Sequence, residues 1–216
     1  MVKKPEVSIL LPSVRGHAMV HCITAIINNT YDVDYEIVVI GDVQPPDFIK
    51  AKIRWIDEED RRGVVTALML GYDFSHGDFV IPMSDDARVC ENWLKPTLDE
   101  VKKDEKNIGD FVVFPHNPFS YWGIKFSPFC LISKARCEQI GGFMDKRFKS
   151  FYGDPDLSLR NHMAGGKLVT GVGSQINHPA NNDLVHQIIV NKYVKADREL
   201  FIQKWEPIFG DFPGDP

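Results

Sequence analysis

Residues 84–86 read Ser-Asp-Asp and follow the apolar run Phe79-Val80-Ile81-Pro82-Met83. A run of that kind reads as a buried strand. The chain therefore delivers two adjacent carboxylates, Asp85 and Asp86, where a strand should end. Like charges side by side repel, and burial raises that cost. A divalent cation relieves it, and hard oxygen ligands suit Mg²⁺ or Mn²⁺. Ligands of open α/β sheets sit outside the carboxyl ends of the strands, which is where this pair falls. The competing reading is local: the two aspartates can cap a helix beginning near Glu91 or close an Asx turn. An Asp-Asp pair taken alone favours the cap.

Other side chains of useful chemistry stand at comparable places. Pro12, Ser13 and Arg15 follow a first apolar run, 7–11, and Asp42 follows a second, 35–40. A hydroxyl or guanidinium donates to base, ribose or phosphate, and a carboxylate accepts from a base N–H or a ribose hydroxyl. Arg62 offers another guanidinium just before a helix. Asp154 stands before Pro155 at the start of a helical stretch, 154–163. Proline suits a first turn, so Asp154 reads locally as an N-cap, and the helix dipole favours its ionised form. A cap that faces a cleft can also take a proton. Asp156 and Arg160 are four apart on one helix face and can pair as scaffold. His178, before Pro179, is either an imidazole ligand or an ordinary loop residue. Tyr121 and Trp122 lie in an aromatic loop and can stack on an acceptor, although core packing is expected for at least one of them.

These groups need strands that end together. Strands are expected at 7–11, 35–40, 53–56 and 79–83, with helices through Met19, Cys22, Ile23, Ile26 and Ile27 and over 64–74. That alternation is the βαβ pattern of a doubly wound parallel sheet. The acidic patch 57–60 reads as a solvated loop. Further on, the sequence predicts helices at 94–104, 134–140, 154–163 and 184–205. It predicts strands at 111–115, 129–132 and 167–172, a turn-rich loop at 116–120, and a tail from Phe209 that frays. The turn after the first strand, Pro-Ser-Val-Arg-Gly-His, lacks the G-x-G-x-x-G of a dinucleotide fold, and no G-x-x-x-x-G-K-[ST] occurs.

The chain has 216 residues, 44% hydrophobic and 25% charged, which fits one soluble domain. No apolar run approaches the ~18–20 residues of a membrane helix. The apolar run behind Lys3 and Lys4 is too short for a signal peptide, so a cytoplasmic protein without a membrane anchor is expected. Cys22, Cys90, Cys130 and Cys137 show no C-x-x-C spacing, which predicts reduced thiols rather than zinc or disulfides. A net charge of −5 argues against a protein that holds nucleic acid mainly through phosphates, although a local basic patch leaves nucleic acid open.

In order, the motifs resemble those of family 2 glycosyltransferases of the GT-A fold, over nearly the whole chain. Residues 7–15 are similar to the first strand and its P-[TS]-x-x-R turn, and 36–42 to the second strand with its terminal acidic residue. Arg62-Gly63-Val64-Val65-Thr66-Ala67 and Gly77-Asp78-Phe79-Val80 resemble R-G-x-x-x-A and G-[DE]-[YF]-[IV]. Ser84-Asp85-Asp86 resembles the acidic metal motif, and Ile140-Gly141-Gly142-Phe143-Met144-Asp145 resembles I-G-G-F-[DM]-[DE]. Residues 153–160 are similar to E-D-x-D-L-x-x-R, and Phe201-Ile202-Gln203-Lys204-Trp205 to F-x-x-K-W. Two departures stand out. Gly153 replaces the usual Glu, and the metal motif is Asp-Asp-Ala rather than Asp-x-Asp.

The resemblance implies a mostly parallel α/β sheet flanked by helices, with a C-terminal helix. It implies a single domain over 1–216, divided into a nucleotide-binding half (1–93), an acceptor half (94–183) and a C-terminal helix and tail (184–216). It further implies transfer of a sugar from a nucleotide-diphospho-sugar, a UDP-sugar being expected, to an acceptor hydroxyl with inversion. In that scheme Pro12, Ser13, Arg15, Asp42, Arg62 and Asp85 hold the donor, Asp86 and His178 hold Mn²⁺ or Mg²⁺, and Asp154 is the base. A soluble glycan, a protein or a modified nucleobase would be the acceptor. The alternatives are a non-catalytic nucleotide-sugar-binding module and a different nucleotide-sugar enzyme on the same fold.

Overall fold

The computed structural model describes residues 4–47, 53–58, 60–114, 119–179 and 183–216. The chain runs β1 (Val7–Pro12), α1 (Gly16–Asn29), β2 (Tyr35–Gly41), β3 (Ile53–Asp57), α2 (Val64–Phe74), β4 (Phe79–Pro82), β5 (Arg88–Val89) and α3 (Leu94–Lys102). It continues β6 (Ile108–Phe114), β7 (Ser120–Tyr121), β8 (Ile124–Lys125), β9 (Ile132–Ser133), α4 (Lys134–Gln139), α5 (Gly153–Met163), β10 (Leu168–Asn177) and α6 (Leu184–Phe209).

The main sheet has the order β3-β2-β1-β4-β9. β1 pairs in parallel with β2 and β4, and β2 with β3, while β9 runs antiparallel to β4. After β1 the chain adds strands on one side, then crosses to place β4 on the other. The strand order therefore switches between β1 and β4, and a crevice opens beyond their carboxyl ends. Pro12 and Ser13 lie on one side of it, Asp85 and Asp86 on the other.

The strands are apolar on both faces because helices cover both. Val7, Ile9 and Leu11 face Met19, Cys22, Ile23 and Ile26 of α1 in one core. Leu10, Val38, Ile40 and Val80 face Val65 and Leu68 of α2, with Phe143, Phe148, Phe201 and Trp205, in the other. Each such side chain contributes about 1.5–3 kcal/mol of burial, so the strand ends rest on a stiff frame.

A second sheet, β5-β10-β6, is joined to the first by a bridge between Gly109 and Leu131. Several expectations change here. The two-residue β5 was invisible as a pattern, and it carries the chain away from Asp86 to pair with β10. The helix expected over 94–104 starts at Leu94 and ends at Lys102. The strand expected at 167–172 runs on to Asn177 as β10, with an irregularity between Thr170 and Gln175. The strand expected over 129–132 shrinks to Ile132–Ser133, and part of the 116–120 loop lies outside the described residues. The tail does not fray. Tyr121 and Tyr152 each donate a hydroxyl hydrogen bond to Asp215, at 2.9 and 2.7 Å, and Phe212 packs on Tyr121. None of the described helices is long and apolar enough to cross a membrane.

Candidate active site

A cleft of about 760 Å³ lies beyond the β1 and β4 ends. Pro12, Ser13, Arg15, Asp85, Asp86, Asp154 and His178 all line it. Asp42 and Arg62 do not. Asp42 pairs with Arg61 on the cleft rim, at 2.9 Å from its Nε, and Arg62 lines a side groove.

Asp85 and Asp86 are both buried but engaged differently. The Asp85 carboxylate accepts from Ser13 Oγ at 2.8 Å and from Arg15 Nε at 3.2 Å, with a further pair to Arg15 Nη2. Burial pushes this carboxyl up, while the bonds from Arg15 and Ser13 pull it back. Burial also opposes the Arg15 charge, but the bonds to Asp85 and Asp183 win and raise the guanidinium's pKa. Ser13 and Arg15 both hold Asp85, and Arg15 reaches Asp86 and Asp183 as well. Asp86 instead faces His178, whose Nε2 lies 3.0 Å from Oδ1. Burial opposes ionisation of Asp86, but the bonds from His178 and Ser84 hold its carboxyl well below the ordinary range. Neither aspartate caps a helix, because α3 begins several residues later.

Asp154 contrasts with both. It belongs to the first turn of α5, whose N-cap is Tyr152 in a left-handed conformation (φ 63°). Asp154 is thus not the N-cap that the sequence pattern favours. Among the described residues no cation pairs with it. Burial pushes its carboxyl up to about 6, opposed by a backbone hydrogen bond at Asp154 itself. The cleft so holds two carboxylates with pKa values driven apart, one firmly ionised and one poised near neutrality. That is how acid and base roles are divided among carboxylates.

The loop before Asp154 is fixed from two sides. Asp197 of α6 is buried and accepts from the backbone N–H groups of Lys149, Ser150 and Phe151, at 3.0, 2.8 and 2.9 Å. The Lys149 carbonyl accepts from Val65 N at 2.9 Å, which occupies the α2 N-terminus. Gly63 makes that contact possible. Its φ is 105°, and a Cβ there would collide with the Lys149 carbonyl oxygen. Gly63→Ala should therefore cost roughly 2–4 kcal/mol through overpacking and left-handed strain, read as a lowered midpoint in urea denaturation. Gly153 sits in a tight place: a Cβ there would start 3.0 Å from Met144 Sδ and Val65 Cγ2, so a Glu would require those side chains to shift.

Asp156 is fully buried, with Arg160 Nε at 2.9 Å and Trp205 Nε1 at 3.0 Å, so the expected pair is scaffold. Tyr121 is core, and Trp122 stacks on Phe209, at 5.4 Å between ring centroids. Neither lines the cleft, where Phe119 and Phe129 take that place. Glu58, expected in a solvated patch, is buried and lines the cleft. The other wall is the first half of α6, with Val185, His186, Ile189, Lys192 and Tyr193. Asp183 caps α6 by accepting from His186 N at 2.8 Å and also pairs with Arg15 at 2.9 Å. The sequence signal for that wall was the amphipathic pattern alone, which does not say what it faces.

Asp86 and His178 can meet one ion between them. Among the described residues no group of three or more His, Cys, Asp or Glu could cage a metal. An oxygen–nitrogen pair that leaves most positions to water and phosphate oxygens suits Mg²⁺ or Mn²⁺ bound together with a nucleotide.

The structure aligns with GalNAc-T7 with UDP, GalNAc and Mn²⁺, with a TM-score of 0.67 and 15% identity, covering 82% of this chain and 44% of that one. It aligns with the mannosyltransferase PcManGT from Pyrobaculum calidifontis in complex with GDP-Man and Mn²⁺, with a TM-score of 0.70 and 15% identity, covering 94% of this chain and 65% of that one. The chain thus spans less than two thirds of either protein, and the likeness establishes the GT-A fold. No curated protein matches the sequence. The model of "Glycosyl transferase family 2" matches residues 8–164, most of the chain, and with the ordered motifs and the cleft at the strand switch it places the protein: the chain belongs to glycosyl transferase family 2.

Proposed function

We propose that the protein transfers a sugar from a nucleoside-diphosphate sugar, with UDP-sugars the expected donors, to an acceptor hydroxyl, with inversion and with one divalent cation. The observation that carries this reading is the pair of opposed carboxylates in one cleft, Asp86 held ionised beside His178 and Asp154 unpaired with its pKa near 6. Asp86 and His178 would hold the cation, which supplies charge neutralisation for the departing diphosphate. Ser13 and Arg15 keep Asp85 fixed beside the donor site. Asp154 accepts the proton of the attacking hydroxyl at its carboxylate oxygen. A single base without a matched carboxylate nucleophile fits one displacement, hence inversion. Phe119, Phe129, Val185 and Ile189 give the cleft an apolar lining.

A thermal-shift screen of UDP- and GDP-sugars with and without Mn²⁺ tests the reading, because a ligand that binds the folded state raises its apparent stability. One donor should raise Tm only with the metal, and should release its nucleoside diphosphate slowly to water. Binding without any release would favour a non-catalytic module. No metal-dependent shift with any donor would overturn the proposal.

A further inference from the structure

Beside the cleft lies a groove of about 490 Å³ to which Arg61, Arg62, Lys146, Lys149 and Lys192 contribute, and no carboxylate lines it. Five cations converge there in a chain whose net charge is −5. Asp42 pairs with Arg61, and Glu58 sits behind Arg62, accepting from its backbone N–H at 3.4 Å. Lys146, Lys149 and Lys192 form no ion pair among the described residues, so a positive excess remains. The groove is built on ordered elements. Arg61 and Arg62 lead into α2, Lys192 stands on α6, and Lys149 belongs to the loop that Asp197 and Val65 hold by its backbone. Arg61, Lys192 and Tyr193 line both the groove and the main cleft, so the two are continuous.

We infer that this groove is a subsite for a phosphate group carried by the acceptor, a reading that rests on the proposed transferase function. Like charges gathered on a fixed frame repel, and an anion relieves that cost. The Arg62 guanidinium with three lysines around it, and Arg61 beside them on Asp42, favour a tetrahedral, multiply charged oxyanion over a carboxylate. Continuity with the cleft lets one molecule set its phosphate in the groove and its hydroxyl near Asp154. The donor diphosphate is not the natural occupant, since it belongs at Asp86 and His178 on the other side of the shared rim.

The test titrates inorganic phosphate, sulfate and acetate into the full chain, free and saturated with Mg²⁺ and whichever of UDP or GDP binds. The wild type should bind phosphate saturably in both states, more tightly than sulfate or acetate, and less tightly as salt rises. Lys146→Ser/Lys149→Ser should weaken phosphate roughly tenfold with nucleotide affinity unchanged, which also shows that the variant is folded. Phosphate affinity unchanged in the variant, or equal affinity for all three anions, would overturn the inference. Nucleotide binding without phosphate binding refutes the groove alone. Phosphate binding that depends on the lysines, without any nucleotide binding, supports the groove and refutes the transferase reading alone.

Discussion

Asp154→Asn should lower transfer by about 10²–10⁴-fold, the usual range for a general base, while donor affinity stays unchanged. Asn keeps the shape of the side chain and loses the proton acceptor. The same substitution should stabilise the fold. Burial lifts the folded-state pKa of Asp154 to about 6, above the ~3.9 of an unfolded chain. Below both values the carboxyl is protonated in both states and contributes nothing. As pH rises from about 4 to about 6 the unfolded chain ionises first, and stability is lost. Above about 6 the partly buried carboxylate costs a constant amount, on the order of 1–3 kcal/mol. Asn escapes that cost, so its advantage in urea denaturation should be absent near pH 3 and full at pH 7. Wild-type kcat/KM should in turn rise with pH through about 6 and then level, because the base must be ionised in the free enzyme. Retained turnover in the Asn variant would remove Asp154 from the base role. A flat kcat/KM between pH 5 and 7 would do the same.

The parallel sheet was legible because strands buried on both faces must be continuous apolar runs, and 7–11, 35–40 and 79–83 are such runs. Ser13, Arg15, Asp85, Asp86, Asp154 and His178 were legible as a set because motif order fixes which strand ends adjoin. What stayed hidden depends on contacts between distant segments. β5 is two residues long and exists only because β10 accepts it, so no local pattern marks it. Nothing near Asp197 in sequence hints that its carboxylate will hold the backbone of residues 149–151. The 184–205 helix was visible by its periodicity, yet its buried residues are Asp197, Phe201 and Trp205. Its first half faces the cleft instead of a core. Gly153 looked only like a lost acidic residue, and the crowding by Met144 and Val65 at that position was not visible in the sequence.

Asp86→Ala should abolish the metal-dependent part of donor binding, whereas Asp85→Asn should weaken donor binding and leave its metal dependence intact. The two carboxylates are adjacent in sequence but have different partners. Both Asp85 oxygens are taken, Oδ2 by Ser13 and Arg15 Nε and Oδ1 by Arg15 Nη2. A cation drawn to Asp85 would have to displace a guanidinium that stays charged at any working pH. Asp86 is engaged as well, at Oδ1 by Ser84 and by His178 Nε2 at 3.0 Å and at Oδ2 by Arg15 Nη2 at 3.3 Å, but one of these partners is an imidazole whose nitrogen can turn to the same ion as the carboxylate. Losing a direct ligand should cost at least the ~10–100-fold in metal affinity that loss of a supporting partner costs. Calorimetric titration of the donor with Mn²⁺ and with EDTA reads both effects. In Asp86→Ala the two affinities should converge on the EDTA value of the wild type. In Asp85→Asn both should fall while their ratio persists, since Arg15 loses its charged partner at that position and keeps only Asp86 and Asp183. Metal dependence that survives in Asp86→Ala and vanishes in Asp85→Asn would reverse the assignment, and would mean that Arg15 swings out of the cleft when the donor enters.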